Sequence, residues 1–198
     1  MESRLAVWAS GSGSNLERIV AACRNKEIPA AVVLVISDRA WILVLERAAK
    51  LLLPSQVVSR KNYESEDAHA QALLELLKKH QIDLICLAGY LAKVPDKVVR
   101  AYQGRIINIH PALLPKFGGK GFYGKNVHEA VLAVKEKESG ATVHYVDEEY
   151  DHGSIILQKK VPVLPADTPE TLAQRVHQVE YEIYPQAIKL VLEKLARR

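Results

Sequence analysis

Short apolar runs, each followed by a turn and then by a segment with helical spacing, recur along the first 110 residues of this chain. Residues 5–9, 30–36, 57–58, 83–87 and 105–110 read as strands. Their β-branched, nearly continuous apolar character predicts burial on both faces, which is the habit of parallel strands covered by crossover helices. The intervening segments supply those helices. Leu16, Ile19, Val20 and Cys23 form one apolar stripe after the first strand, and residues 41–52 form a second helix. Asn62 can cap a long third helix ending at His80, and Pro95 suits the first position of a helix over residues 96–102. Such alternation predicts an α/β fold with a doubly wound, mostly parallel sheet, Rossmann-like in its N-terminal half.

Beyond residue 110 the pattern changes. A Gly-rich loop over 115–125 leads to a helix over 126–137, and Ser139-Gly140 reads as a connector. Strands at 141–146 and 155–163 follow, joined by too few residues for a helical crossover, so they are expected to be antiparallel. Thr168-Pro169-Glu170 starts the last helix, and Pro185 within it predicts a kink or break. With 198 residues, 48% hydrophobic and 25% charged, the chain suits one globular domain over 1–198. No run suggests a signal peptide or a membrane span. Cys23 and Cys86 lack a CxxC or His partner, which suits a reducing compartment, and the cytoplasm is expected. The net charge of +4 is scattered, without interleaved aromatics, so small molecules rather than nucleic acid are the expected ligands. Either a monomer or a homodimer is compatible with this composition.

Chemistry concentrates at the end of the fifth strand. Asn108 and His110 stand two residues apart, hence on one face, and Pro111 ends the ladder behind them. Open α/β sheets bind ligands at the carboxyl ends of their strands, although a satisfied polar pair in a core would read the same way. An amide and a protonated imidazole there could hold the oxygen of a carbonyl becoming tetrahedral. An acid from residues 147–151 would favour the charged imidazole. Ser12, Gly13, Ser14 and Asn15 lie between the first strand and first helix, a natural anion site, though Ser14 or Asn15 could simply be a helix cap. No serine or cysteine sits in a nucleophile elbow, which points to direct acyl or one-carbon transfer. His69, His80 and His128 are unclustered and read as surface or helix residues, so no metal is expected.

Ser10–Asn15, Leu87–Tyr90, Asn108-Ile-His-Pro-Ala-Leu-Leu-Pro115, Val143-His-Tyr-Val146 and Asp151-x-Gly153 fall in the order found in the phosphoribosylglycinamide formyltransferase family, which the chain resembles over nearly its whole length. The Asn-x-His-Pro block with its downstream Asp-x-Gly is specific for enzymes that use 10-formyltetrahydrofolate. The length and the first turn single out the glycinamide ribonucleotide branch; methionyl-tRNA formyltransferase and formyltetrahydrofolate deformylase carry further domains. The resemblance implies the formyltransferase fold and a catalytic trio of Asn108, His110 and Asp151. It implies that Ser12, Gly13, Ser14 and Asn15 hold a substrate phosphate, and that His177, Gln178, Val179 and Glu180 receive the ribose and glycinamide end. It places Arg60, Leu91, Ala92, Lys93 and Val94 against 10-formyltetrahydrofolate, with Asn108. The loop Asp147, Glu148, Glu149, Tyr150 and Asp151 would close around the pterin.

Three positions depart from the family pattern: His152, the long loop over 118–124, and Leu51-Leu52-Leu53 at a helix end. Two other classes share parts of the constellation. A formyl-folate hydrolase would keep Asn108, His110 and Asp151 without a phosphate site. A non-catalytic nucleotide-binding module would keep the first turn without the trio.

Overall fold

The computed structural model describes residues 2–197. Strands β1 (Ser3–Trp8), β2 (Ala30–Ser37), β3 (Ser55–Val57), β4 (Leu84–Leu87), β5 (Ile106–His110), β6 (Glu138–Tyr145) and β7 (Ile155–Pro162) form one seven-stranded sheet in the order β3-β2-β1-β4-β5-β6-β7. The pairings from β3 through β5 are parallel, and β6 runs antiparallel to both β5 and β7. Helices α1 (Ser14–Arg24), α2 (Leu43–Lys50), α5 (Lys125–Ala133) and α6 (Pro169–Ala196) pack on one face, and α3 (Glu66–Lys79) and α4 (Asp96–Ala101) on the other. Alternate residues of each strand feed the two cores. Leu5, Val7 and Ala9 face α1 and α6, whereas Ala6 and Trp8 face α3 and α4. The expected doubly wound architecture is therefore present, with its switch point between β1 and β4.

Local details correct the sequence reading. Trp41 and Leu52 lie outside α2: both have positive φ (56° and 59°) and are almost fully exposed. Asn62 does not cap α3. It belongs to a 3₁₀ turn, Arg60–Asn62, and Ser65 caps the helix by accepting from Ala68 N at 3.0 Å. Pro95 is the residue before α4 rather than its first. The helix expected to run to residue 137 ends at Ala133, and Ser139-Gly140 belongs to β6. Gly140 is needed there because a Cβ would strike Lys159 O on β7. His69 and His128 sit on helices but are buried.

α6 continues unbroken through Pro185. Proline removes the hydrogen bond that residue 185 would have made to the carbonyl four positions earlier. That carbonyl, Tyr181 O, instead accepts from Arg18 Nε on α1 at 3.0 Å. A neighbouring helix thus satisfies the group that proline leaves free. Near the middle of α6, the buried Tyr184 hydroxyl donates to Leu87 O (2.8 Å) and also lies 3.3 Å from Ile107 O, which fixes the helix beneath the ends of β4 and β5.

Candidate active site

A cavity of about 640 Å³ opens over the carboxyl ends of β1, β4 and β5. This is where the switch point of a doubly wound sheet leaves a crevice. The turn after β1 forms one end. Gly13 has φ 78°, and a Cβ there would meet Val44 Cγ2 of α2 at 2.5 Å. Gly11 O accepts from Val44 N at 3.1 Å, which seats the turn on α2. Gly13 caps α1 without any side-chain hydrogen bond, so neither Ser14 nor Asn15 serves as the cap. The first N–H groups of α1 face the cavity end lined by Ser12, Gly13, Ser14 and Asn15, a setting suited to an anion.

Asn15 has another partner. Its Nδ2 donates to Glu180 Oε2 at 2.8 Å, and both side chains are buried. The Tyr184 anchor, one turn later on α6, holds Glu180 in reach of α1. Burial pushes the Glu180 carboxyl up to about 7, against the opposing pull of the Asn15 hydrogen bond. The unfolded chain loses this proton near 4.5, and the folded protein keeps it until about 7. Stability should therefore fall as pH rises through that window, by roughly 3 kcal/mol in total. Glu180→Gln should flatten the fall and make the protein more stable than wild type at pH 8. Urea unfolding from pH 4 to pH 9 would measure this, and parallel slopes for the two proteins would contradict it.

The strand-end pair points into the middle of the cavity. Asp151 comes to it on the loop after β6. Gly153 permits the turn, because any Cβ there would collide with Tyr145 O. Asn108 Nδ2 donates to Asp151 Oδ1 at 3.2 Å, and Gly119 N donates to Oδ2 at 3.0 Å. His110 Nδ1 lies 3.5 Å from Oδ2. The other ring nitrogen of His110, Nε2, is 2.7 Å from Phe117 O. A carbonyl only accepts, so Nε2 carries the proton and Nδ1 is the nitrogen turned to the carboxylate. Burial raises Asp151, yet the acid is held below its ordinary value, the Gly119 N–H on Oδ2 being one of the groups that favour the carboxylate.

The imidazole behaves differently from the expectation. Burial lowers the pKa of His110, and although Asp151 and the Phe117 bond push it up, burial prevails. The group is 3% exposed, and removing an imidazolium from water costs more than one partner at 3.5 Å returns. The net direction is downward, opposite to the rise that the neighbouring acid alone would give.

The remaining sequence-derived positions divide. Leu91, Ala92, Lys93 and Val94 line the cavity, as do Asp147, Glu148, Glu149, Tyr150, His177 and Glu180. Gln178 is exposed on α6, and Val179 packs into the core, so neither belongs to the lining. Arg60 also stands outside the lining, its guanidinium donating to Tyr63 O at 2.8 Å. The departure at His152 makes a contact within the loop, where its Nδ1 lies 2.9 Å from Asp147 Oδ2. Sequence reasoning missed His144 and His128, both buried and both on the cavity wall. His144 gave the same signal that marked Asn108, a polar side chain in an apolar strand, but its partner depends on strand register. Among the described residues, no group of three or more His, Cys, Asp or Glu could hold a metal, and no helix is long and apolar enough to cross a membrane.

Residues 3–188 match the family described as formyl transferase. The chain is 45% identical over 197 residues to the trifunctional purine biosynthetic protein adenosine-3 of Drosophila pseudoobscura pseudoobscura, covering 98% of itself but only 14% of that protein. It is 42% identical over 189 residues to phosphoribosylglycinamide formyltransferase of Bacillus subtilis (strain 168), covering 96% of itself and 94% of the relative. The crystal structure of glycinamide ribonucleotide transformylase 1 from Symbiobacterium toebii superposes with a TM-score of 0.91 at 42% identity, over 97% of this chain and 88% of that one. With the sheet order, the cavity and a match across nearly all its length, the chain belongs to the formyl transferase family.

Proposed function

We propose that this protein transfers the formyl group of 10-formyltetrahydrofolate to the amine of glycinamide ribonucleotide, a step of purine biosynthesis, without a metal. One observation carries the reading: an open helix N-terminus suited to a phosphate and the Asn108–His110–Asp151 cluster line the same cavity. A formyl-folate hydrolase would need only the second, and a nucleotide-binding module only the first. In this reading Ser12, Gly13, Ser14 and Asn15 take the phosphate, and His177 and Glu180 face the ribose and glycinamide end. Residues Leu91 to Val94 and the loop Asp147 to Asp151 receive the folate.

The amine nitrogen attacks the formyl carbon, and the carbonyl oxygen becomes an oxyanion. Asn108 Nδ2–H, which rests on Asp151, is the donor available to that oxygen. The bare Nδ1 of neutral His110 can take the proton that the amine loses as its new C–N bond forms. Asp151 then faces an imidazolium and stabilises it. The proton goes to N10 of the folate as its bond to carbon breaks, leaving the formylated amine and tetrahydrofolate. No covalent enzyme intermediate is needed.

The test is incubation of the purified protein with glycinamide ribonucleotide and 10-formyltetrahydrofolate. The expected products are formylglycinamide ribonucleotide and tetrahydrofolate in equal amounts. Formate release independent of the ribonucleotide would favour the hydrolase, and tight phosphate binding without turnover the binding module. Gly13→Val checks the phosphate end. Its Cβ would strike Val44 of α2 and strain the positive φ, displacing the turn that presents the α1 amides. The KM for glycinamide ribonucleotide should rise at least tenfold, about 1.4 kcal/mol of binding, with little change for the folate. An unchanged KM in a folded variant would move the phosphate elsewhere.

A further inference from the structure

We infer that His144 is a positioning residue that fixes the Asn108 carboxamide so that its donor end, and not its oxygen, lies beside Asp151, where it can serve the reacting carbonyl. The inference rests on the proposed formyl transfer for its kinetic test, but its structural basis is independent of that reaction. His144 lies directly opposite Asn108 in the antiparallel β5–β6 pair. The β6–β7 register shifts between Val143 and His144, and such an irregularity re-aims a side chain beside a site. The ring is 2% exposed.

Its two nitrogens have distinct partners. Nδ1 is 2.8 Å from Tyr145 O, an acceptor, so Nδ1 carries the proton. In the neutral ring Nε2 then accepts, and Asn108 Nδ2 lies 3.1 Å from it, closer than Asp151 Oδ1 at 3.5 Å. The Asn108 amide has two N–H groups. One is anchored on His144 and the other rests on Asp151 Oδ1 at 3.2 Å. A flipped amide would turn its oxygen toward both the Nε2 lone pair and the Asp151 carboxylate. His144 therefore sets which end of Asn108 faces the cavity, and the tautomer lock at Tyr145 O makes it an acceptor. A proton on Nε2 would reverse this, releasing Asn108 and pairing the ring with Asp151.

Two substitutions separate the roles of the two nitrogens. His144→Gln can place an acceptor near the position of Nε2, whereas His144→Asn keeps a group near Nδ1 and falls short of Asn108. His144→Asn should lower kcat on the order of 10-fold to 100-fold with KM for both substrates nearly constant, as expected when a donor is misaimed. His144→Gln should recover most of that loss. In an Asn108→Ala background, His144→Asn should add almost nothing, because it acts through the amide already removed. Full additivity in this cycle, or equal losses in the Gln and Asn variants, would overturn the inference.

A measurement without turnover keeps the test separate from the proposed function. The Asn108 side-chain amide resonances, assigned by their absence in Asn108→Ala, should show two exchange-protected protons in wild type and His144→Gln, one on residue 144 and one on Asp151. One of the two should lose its protection in His144→Asn. Protection of both retained there would overturn the inference whether or not the protein transfers formyl groups, whereas an inactive wild type with the expected protection pattern would fault only the proposed reaction.

Discussion

Asn108→Ala is expected to lower turnover by about 10²–10³-fold, the usual cost of losing one donor to a developing oxyanion. The loss should fall on kcat rather than KM, because the donor meets full negative charge only as the carbonyl becomes tetrahedral. The backbone of β5 stays paired with β4 and β6 in the variant, so the fold should persist. Truncation leaves the His144 Nε2 lone pair and Asp151 Oδ1 each without the Asn108 proton, a local cost that thermal unfolding would record. Steady-state kinetics with each substrate varied in turn would check the partition. A loss confined to KM, or one below tenfold, would remove Asn108 from the oxyanion role.

Asp151→Asn should reduce kcat by more than tenfold with modest changes in KM. The carboxylate accepts N–H groups on both oxygens, from Asn108 on one and Gly119 on the other. An amide has one acceptor and one donor end, so it can satisfy only one of the two. The positive φ of Asp151, 54°, is tolerated by asparagine, which makes the substitution a test of charge rather than of backbone. Asp151 is the largest influence raising the pKa of His110, so its removal should lower that pKa further. His110 would then take the amine proton less readily, and its imidazolium would lose its counter-charge. NMR titration of His110 in both proteins would measure the shift. An unmoved pKa with turnover lost would assign Asp151 to ordering the Gly119 loop instead. A role in shaping its own turn is disfavoured, since its carboxylate bonds reach β5 and the Gly-rich loop.

Much of this was legible in the order of residues. The period-2 and period-3.6 patterns located the sheet and its helices, because burial of one strand face or one helix stripe is dictated locally. The same reasoning put Asn108 and His110 on one face, and Pro111 at the end of their strand. A strand followed by small residues and a helix start fixed where an anion could sit. Capping and helix ends were less legible, since Ser65 displaced Asn62 once residues 60–62 closed a 3₁₀ turn.

What only the tertiary structure decided has a common physical cause: each case depends on groups far apart in the chain. The break expected at Pro185 is absent because Arg18, on another helix, satisfies Tyr181 O. Glu180 holds its proton to about 7 because folding buries it against Asn15, 165 residues away. His144 gained its partner through the register of an antiparallel pair that no local pattern specifies. For His110 the sequence supplied a neighbouring acid and hence an upward push on its pKa. Its final direction is downward, because that depends on how completely the folded chain removes the ring from water, and burial outweighs the charge of Asp151.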